Sequence, residues 1–204
     1  MTSILIVAGS YLLGAIPSSY LAGRLGGVDL RERGSKNLGA TNVYRVLGWA
    51  YAAPVAIFDV AKGFLPVLYA TSRTDSEPWL PVASGVAAVM GHVFSIYLRF
   101  RGGKGVATAS GAVLALAPAA LAVSAGLWLL LVLATRYVSV GSILGAISFP
   151  IAVLLLEPGD SYTAAAGIVL AGFIVFTHRA NIRRLVAGTE NRVGRPHGMP
   201  GGAR

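Results

Sequence analysis

Three polar segments of this 204-residue chain combine small residues, amides and fixed cations in a way that suits the binding of phosphate groups. They are residues 34–45 (GSKNLGATNVYR), 100–108 (FRGGKGVAT) and 178–191 (HRANIRRLVAGTEN). Small residues leave backbone N–H groups accessible to an anion, and arginine and lysine add permanent positive charge. The chemistry that these segments predict is therefore the handling of phosphorylated compounds.

The first segment contains small residues that expose backbone N–H groups, four neutral hydrogen-bonding side chains and the planar, charged guanidinium group of an arginine. An alternative is a turn followed by a helix start, with Thr41 or Asn42 as the helix cap. The number of polar groups within twelve residues favours binding. We predict that the contributing residues are Gly34, Ser35, Asn37, Gly39, Ala40, Thr41, Asn42 and Arg45.

The second segment contains Gly102, Gly103, Lys104 and Gly105 directly before an apolar run. A helix that starts there would point free N–H groups and a partial positive charge at an anion, and Lys104 would add a full charge. The alternative is a flexible turn whose lysine touches lipid headgroups. On this segment alone the two interpretations are equally supported.

The third segment places His178 and Asn181 three residues apart, so they share one helix face. Histidine can exchange protons near neutral pH, which makes this pair a candidate for catalysis. We interpret the neighbouring Arg183 and Arg184 as lipid-facing cations, and we include Glu190 and Asn191 of the following turn in the binding set. Ser142, at the start of another apolar run, either joins the site or packs between helices.

Three further ionisable residues lie inside apolar runs. Asp59 and Lys62 are spaced to neutralise each other, so we predict a structural role for them. His92 is either functional or engaged in a single hydrogen bond between helices, and the sequence supports both equally.

The composition is that of a helical membrane protein, with 55% hydrophobic and only 12% charged residues and a mean hydropathy of +0.68. Soluble domains carry about 25% charged residues. The net charge of +9 resides mainly in short loops between apolar runs, which indicates membrane orientation and not nucleic-acid binding. The absence of cysteine excludes disulfides and thiolate chemistry. We predict a single membrane-embedded domain over residues 1–204.

Loop charge fixes the predicted topology. The stretch 106–135 is long for one span and short for two, and Pro118 lies at its middle. If it forms two helices, every basic loop falls in the cytoplasm and every acidic one outside. We therefore predict an all-α protein with seven transmembrane helices, a short fourth helix, an outside N-terminus and a cytoplasmic C-terminus. The apolar stretches are 3–22, 50–71, 79–98, 106–135, 138–156 and 162–177.

The sequence lacks the residues that several other classes of protein require. The eight carboxylates form no cluster that could hold Mg²⁺, and no histidine spacing suggests zinc. No histidine is followed five residues later by an aspartate, which removes the dyad of the common acyl-CoA-dependent acyltransferases. A phosphate or organophosphate carrier would need sites near mid-bilayer, and we find no internal repeat. A lipid-binding scaffold would not need Ser35, His178 and Asn181 besides cations.

In these motifs the chain resembles the bacterial acyl-phosphate-dependent glycerol-3-phosphate acyltransferases, the PlsY type. The resemblance rests on the three segments, on Gly91-His92 and on residues 59–63 (DVAKG), in the same order over most of the chain. Small departures are Lys36, where a small residue would be usual, and Thr177, where the family often has a basic residue. We expect neither to touch the site.

The resemblance implies acyl transfer from acyl phosphate to the 1-hydroxyl of glycerol 3-phosphate, a step of phospholipid biosynthesis. It also implies a bacterial inner-membrane enzyme with a cytoplasmic-facing site, without metal or cofactor. We expect direct transfer, with the proton accepted by His178 or by the phosphate of the donor. The predicted catalytic residues are Ser35, Arg45, Lys104, His178 and Asn181.

Overall fold

The computed structural model describes residues 1–73 and 77–194, and all regular structure within these ranges is helical. The loop charge at Asp75 and the tail residues Arg195, His197 and Arg204 lie outside the described residues. A short 3-10 turn at Ile96–Leu98 follows the fifth helix. The α-helices are α1 Thr2–Ala15, α2 Ser18–Leu25, α3 Ala40–Leu47, α4 Trp49–Thr71, α5 Leu80–Val93, α6 Val106–Leu116, α7 Pro118–Thr135, α8 Val138–Leu156, α9 Ser161–Thr177 and α10 Arg179–Val186.

Each of the seven predicted segments is helical, but not all are long enough to cross a membrane. Five helical stretches meet the length and hydropathy of a span, and a sixth does if α9 and α10, bent by 57°, count as one. Helix α6 is apolar but has only 11 residues. It is therefore about 16 Å long, about half the hydrocarbon thickness of a bilayer. The count of seven crossings stays a prediction.

The ambiguous stretch 106–135 forms two helices, as loop charge predicted. Helix α6 ends at Leu116, and Pro118 is the first residue of α7. Proline is well suited to this position because it has no N–H to donate and its φ is already helical. The two helices therefore meet in a tight turn at Ala117, which is fully buried.

The first span is broken, whereas the sequence predicted one continuous helix over 3–22. Helix α1 ends at Ala15 and α2 begins at Ser18, because Pro17 cannot donate a backbone hydrogen bond. Side chains from distant parts of the chain satisfy the carbonyls that the break frees. Lys62 Nζ donates to the Ile16 carbonyl at 2.9 Å, and Ser95 Oγ donates to the Ala15 carbonyl.

The predicted pairing of Asp59 with Lys62 is present. The two side chains form a buried ion pair at 2.8 Å, and each is only 1% exposed. Ser18 Oγ donates a further hydrogen bond to the same carboxylate at 2.6 Å. His92 Nδ1 lies 3.7 Å from Asp59 Oδ1 and has no hydrogen-bond partner. Because Lys62 also donates a hydrogen bond to the Ile16 carbonyl, the ion pair links α4 to the break in the first span.

Helices α4 and α6 pack with their backbones in contact. A Cβ atom added at Gly63 would lie 2.0 Å from the Thr108 carbonyl oxygen, and one at Gly111 would lie 1.9 Å from the Val60 carbonyl oxygen. Only glycine permits this approach, which is common where membrane helices associate. The close contact holds α6, and with it the second polar segment at its start, firmly against α4.

Candidate active site

All three polar segments meet at one cavity of about 450 Å³. The five residues predicted as catalytic all line it, although they lie on three separate stretches of the chain. Arg45 lies on α3 and Asn181 on α10, whereas the other three lie in the segments between helices. The predicted site residues that line the cavity are Ser35, Asn37, Gly39, Ala40, Thr41, Asn42, Arg45, Lys104, Gly105, Ser142, His178, Asn181, Glu190 and Asn191.

Lys104 is held by two contacts, one with Asn181 of the third segment and one with Thr177, the residue directly before that segment. Its ammonium donates a hydrogen bond to Asn181 Oδ1 at 2.5 Å. Thr177 Oγ1 donates to the Lys104 backbone carbonyl at 3.2 Å. Thr177 therefore touches a site residue, and the expectation that this departure from the family pattern lies outside the site is wrong.

Glu190 organises the site from within and is not free to bind an anion. Its Oε1 accepts hydrogen bonds from Asn181 Nδ2 at 2.6 Å and from Ser139 Oγ at 2.9 Å, and its Oε2 accepts one from Arg184 Nε at 2.6 Å. Burial alone would raise the pKa of Glu190, but these hydrogen bonds and the charge of Arg184 outweigh it and lower that pKa. Since a carboxylate repels phosphate, the predicted direct binding role of Glu190 is replaced by one of positioning.

The two consecutive arginines of α10, Arg183 and Arg184, differ from each other. Arg184 forms an ion pair with Glu190 at 2.6 Å, so its interpretation as a lipid-facing cation is wrong. Arg183 is exposed, as that interpretation requires. The difference arises because only one of two consecutive helical positions faces the returning turn at 188–191.

Burial concentrates positive charge with little solvent to screen it. The pKa of Lys104 is lowered to about 8 mainly by burial; the charge of Glu190 opposes this shift, and the charges of Arg184 and Arg45 add to it. Burial also lowers the pKa of Arg45. Arginine stays charged throughout the physiological range. Two partly desolvated cations are strong binding partners for an anion, because a bound anion replaces part of the stabilisation that water would provide.

The hydrogen bonding of His178 defines its tautomer. Its Nδ1 lies 2.8 Å from the carbonyl oxygen of Ile174, and a carbonyl can only accept. The proton of the neutral ring therefore resides on Nδ1, which leaves Nε2 as the atom able to accept another. His178 is 3% exposed and lines the cavity.

Asn42 shapes the first segment. Its Oδ1 accepts from the Ser35 backbone N–H at 2.7 Å, and its Nδ2 donates to the carbonyls of Leu30 and Arg33. Gly34 has a φ of +60°, and a Cβ there would lie 2.2 Å from Asn42 Oδ1. Gly34 does not line the cavity, so its predicted contact with phosphate is corrected to a structural role.

Gly102 and Gly103 are likewise absent from the cavity lining. Their N–H groups donate to the carbonyls of Val93 and His92, which lie at the end of α5. The predicted binding of phosphate by these two N–H groups is therefore wrong, because the chain uses them to cap a helix. Gly105, whose φ is +85°, caps the start of α6 and does line the cavity.

Several polar residues of the cavity wall fall outside the predicted site. Ser139 lies three residues before Ser142 on α8, so their shared helix face was a signal available in the sequence. Trp128 Nε1 donates to Ser142 Oγ at 3.4 Å. Asp59 and His92 border the cavity from α4 and α5, a contact that no local pattern indicates.

The cavity continues from this polar end into an apolar slot between α6, α7, α8 and α9. Its walls there are mostly small or aliphatic residues, including Val113, Leu121, Gly145, Ala171 and Ile174. The cavity thus joins a cationic, amide-rich end to a hydrocarbon-like end. Such a shape suits an amphiphilic ligand with one charged and one apolar part.

Comparison with known proteins shows that the chain is an integral membrane acyltransferase. The sequence model of a family described as glycerol-3-phosphate acyltransferase matches residues 4–188. A glycerol-3-phosphate acyltransferase of Trichlorobacter lovleyi is 44% identical, with 91% of this chain and 95% of the relative covered. One of Chlorobaculum parvum is 38% identical, with 95% and 97% covered.

Solved structures agree with these relatives. A crystal structure of PlsY (YgiH), described as an integral membrane glycerol 3-phosphate acyltransferase in its glycerol 3-phosphate form, superposes with a TM-score of 0.90 at 40% identity. The alignment covers 95% of this chain and 96% of that one. The lysophosphatidic acid form superposes with a TM-score of 0.88. The chain belongs to the glycerol-3-phosphate acyltransferase family.

Proposed function

We propose that this protein transfers a fatty acyl group from acyl phosphate to the 1-hydroxyl of glycerol 3-phosphate, giving 1-acylglycerol 3-phosphate and phosphate. The observation that carries the proposal is the meeting of Arg45, Lys104 and His178 at one cavity with an apolar slot behind it. The related PlsY structures, in forms with glycerol 3-phosphate and with lysophosphatidic acid, supply the acceptor and the product.

The resemblance to the acyl-phosphate-dependent family motivates acyl phosphate as the donor, and the charge of the site supports it. Both reactants then carry a phosphate, and the site must neutralise two anions close together. Arg45 and Lys104 are partly desolvated cations at the same cavity, and the charge of one lowers the pKa of the other. The site residues Ser35, Asn37, Thr41 and Asn191 add neutral hydrogen-bonding groups around them. Two phosphates would relieve the mutual repulsion of these cations.

The acyl transfer itself needs no covalent enzyme intermediate, because acyl phosphate is already activated. The oxygen of the glycerol 1-hydroxyl attacks the acyl carbonyl carbon and forms the ester bond. The bond between that carbon and the phosphate oxygen breaks, and phosphate leaves with the electron pair. We assign Asn181 and Ser35 to orienting the reactants and stabilising the developing oxyanion.

The hydroxyl proton has two possible acceptors in this scheme: Nε2 of His178 and a phosphate oxygen of the donor. The His178→Gln variant separates them, since glutamine can orient a substrate but cannot take up a proton. Retention of more than about one hundredth of the wild-type rate assigns the proton to the phosphate, because general-base loss costs roughly 100-fold or more.

The orientation of the bundle forms part of the proposal. Basic residues next to the site, such as Arg183, and the acidic loop at 157–160 lie at opposite ends of α9, which supports a cytoplasmic site and seven crossings of the bacterial inner membrane. Because the chain contains no cysteine, single cysteines can report on topology. In intact cells, a membrane-impermeant maleimide should label a Pro158→Cys variant and not an Arg183→Cys variant. The reverse pattern would refute this orientation.

The decisive experiment uses purified full-length protein in detergent with labelled glycerol 3-phosphate. Acyl phosphate should yield labelled 1-acylglycerol 3-phosphate, and acyl-CoA at equal concentration should not. A Ser35→Ala variant and a search for an acylated serine test the direct mechanism. Transfer from acyl-CoA alone, or an acyl-enzyme that forms and then decays into product, would overturn the respective part of the proposal.

A further inference from the structure

The apolar slot ends at a wall that it shares with a second, smaller cavity. Four residues line both spaces: Val113 of α6, Phe149 of α8, and Gly167 and Leu170 of α9. The second cavity measures about 10 Å³ and is otherwise lined by residues from the start of α5, the end of α6 and the start of α9. It therefore lies beyond the slot, farther from the polar site.

The distance from the polar site to this wall is set by helix length. Val113, Phe149 and Gly167 each lie about ten residues along their helix from a polar residue of the site, which corresponds to about 15 Å of helix. Those polar residues are Lys104, Ser139 and His178 respectively. Three helices thus contribute to the wall at a similar depth.

Phe149 forms the bulky part of this wall. A Cβ atom added at Gly167 would lie 3.0 Å from Phe149 Cδ1 and 3.2 Å from Phe149 Cε1. The phenyl ring therefore lies against the bare backbone of α9. It is 6% exposed and packs in a cluster with Val113, Ala117 and Ala152. Held in this way, the ring has little room to move aside for a longer occupant.

We propose that Phe149, seated on Gly167, closes the far end of the acyl slot and sets the longest acyl chain that the enzyme accepts from its donor. This inference rests on the proposed function, because it assigns the slot to the acyl tail. An acyl chain whose methyl end stops short of the ring fills the slot. A longer chain has to displace a packed aromatic side chain, and overfilling a packed interior is unfavourable.

Shortening the side chain should lengthen the slot. In the Phe149→Ala variant the ring no longer separates the two cavities, and the slot extends toward α5. With a series of saturated acyl phosphates differing by two carbons, the preferred donor should move to a longer chain. The kcat/KM ratio of the next longer donor to the wild-type optimum should rise at least about tenfold, the discrimination expected for small changes in an apolar pocket.

Filling the slot should have the opposite effect. Ala171 lines it on α9, one helical turn nearer to His178 than Gly167 is. The Ala171→Leu variant should lose long donors and retain shorter ones. Matched controls are Ile151→Ala on α8 and Ala165→Leu on α9, since both positions are exposed and line neither cavity. The controls should keep the wild-type profile.

The measured quantity is a ratio between donors, so it does not depend on how much of a variant folds. If Phe149→Ala yields no protein, Phe149→Leu shortens the same ring and should shift the profile in the same direction. Unchanged profiles in an active Phe149 variant and in Ala171→Leu would overturn the inference while the proposed function stands. Absence of transfer by the wild-type protein from every donor would instead refute the proposed function.

Discussion

Lys104 donates a hydrogen bond to Asn181 across 77 residues of sequence, and Asn181 in turn donates to Glu190. The amide of Asn181 thus has a fixed orientation, with its oxygen on the cation and its nitrogen on the anion. This chain of contacts sets the position of the ammonium at the cavity. An arriving phosphate would compete with Asn181 for that ammonium. We therefore expect the loss of Lys104 to reduce acyl transfer more than the loss of any other group.

Removing either cation should abolish acyl transfer without unfolding the protein. Lys104→Ala and Arg45→Ala each take away a partly desolvated positive charge that stabilises bound phosphate, so we expect kcat/KM to fall roughly a hundredfold or more. Initial rates with labelled glycerol 3-phosphate check this. Lys36→Ala is the control, because Lys36 is exposed and does not line the cavity. Near-wild-type rates in either site variant would remove that cation from the mechanism.

Activity should decline in alkali because Lys104 loses its proton there. Its pKa of about 8 means that the ammonium is fully charged well below pH 8 and neutral well above it. The logarithm of kcat/KM for glycerol 3-phosphate, which reports the free enzyme, should therefore fall as the pH rises through about 8. In the Lys104→Arg variant, the fall in any remaining kcat/KM should occur only at higher pH, since the guanidinium stays charged. A wild-type profile that stays flat beyond pH 9 would contradict this assignment.

Loss of the Arg184–Glu190 pair should impair catalysis through misplacement of Asn181. In Arg184→Ala the carboxylate loses its charged partner and its hold on Asn181 and Ser139 loosens, so we expect kcat to fall up to about a hundredfold. Arg183→Ala, the adjacent exposed position, provides a control of equal charge. Equal activities of the two variants would show that this ion pair does not support the site.

Helix contact at Gly63 should be needed for both stability and activity. Gly63→Ala puts a methyl group 2.0 Å from the Thr108 carbonyl oxygen, so α4 and α6 must separate and Lys104 must shift with α6. The expected cost is about 1–3 kcal/mol, which is typical of overpacking. Thermal unfolding in detergent measures it. Gly126→Ala on α7 has open space around it and should be at least as stable as the wild type, because alanine favours a helix interior. A fully stable Gly63→Ala variant would contradict the observed backbone contact.

The sequence by itself determined most of the helical segments and pointed to residues that the structure brings together at one cavity. Hydropathy and loop charge are properties of consecutive residues, and they correctly divided 106–135 at Pro118. The clustering of small residues, amides and cations identified Arg45, Lys104, His178 and Asn181, which all line the cavity. The pairing of Asp59 with Lys62 was also predictable. An unpaired charge inside a membrane span is energetically costly, and two opposite charges one helical turn apart can neutralise each other.

Tertiary structure alone decided which polar groups face the cavity and which serve the fold. Gly102 and Gly103 cap α5, Gly34 lies against Asn42 outside the cavity lining, and Arg184 pairs with Glu190, although their residue types equally suit phosphate. The break at Pro17 likewise depends on partners from distant parts of the chain. The physical reason is that a hydrogen bond to a distant group and one to a ligand have the same local chemistry. Only packing between helices determines which of the two a given side chain makes.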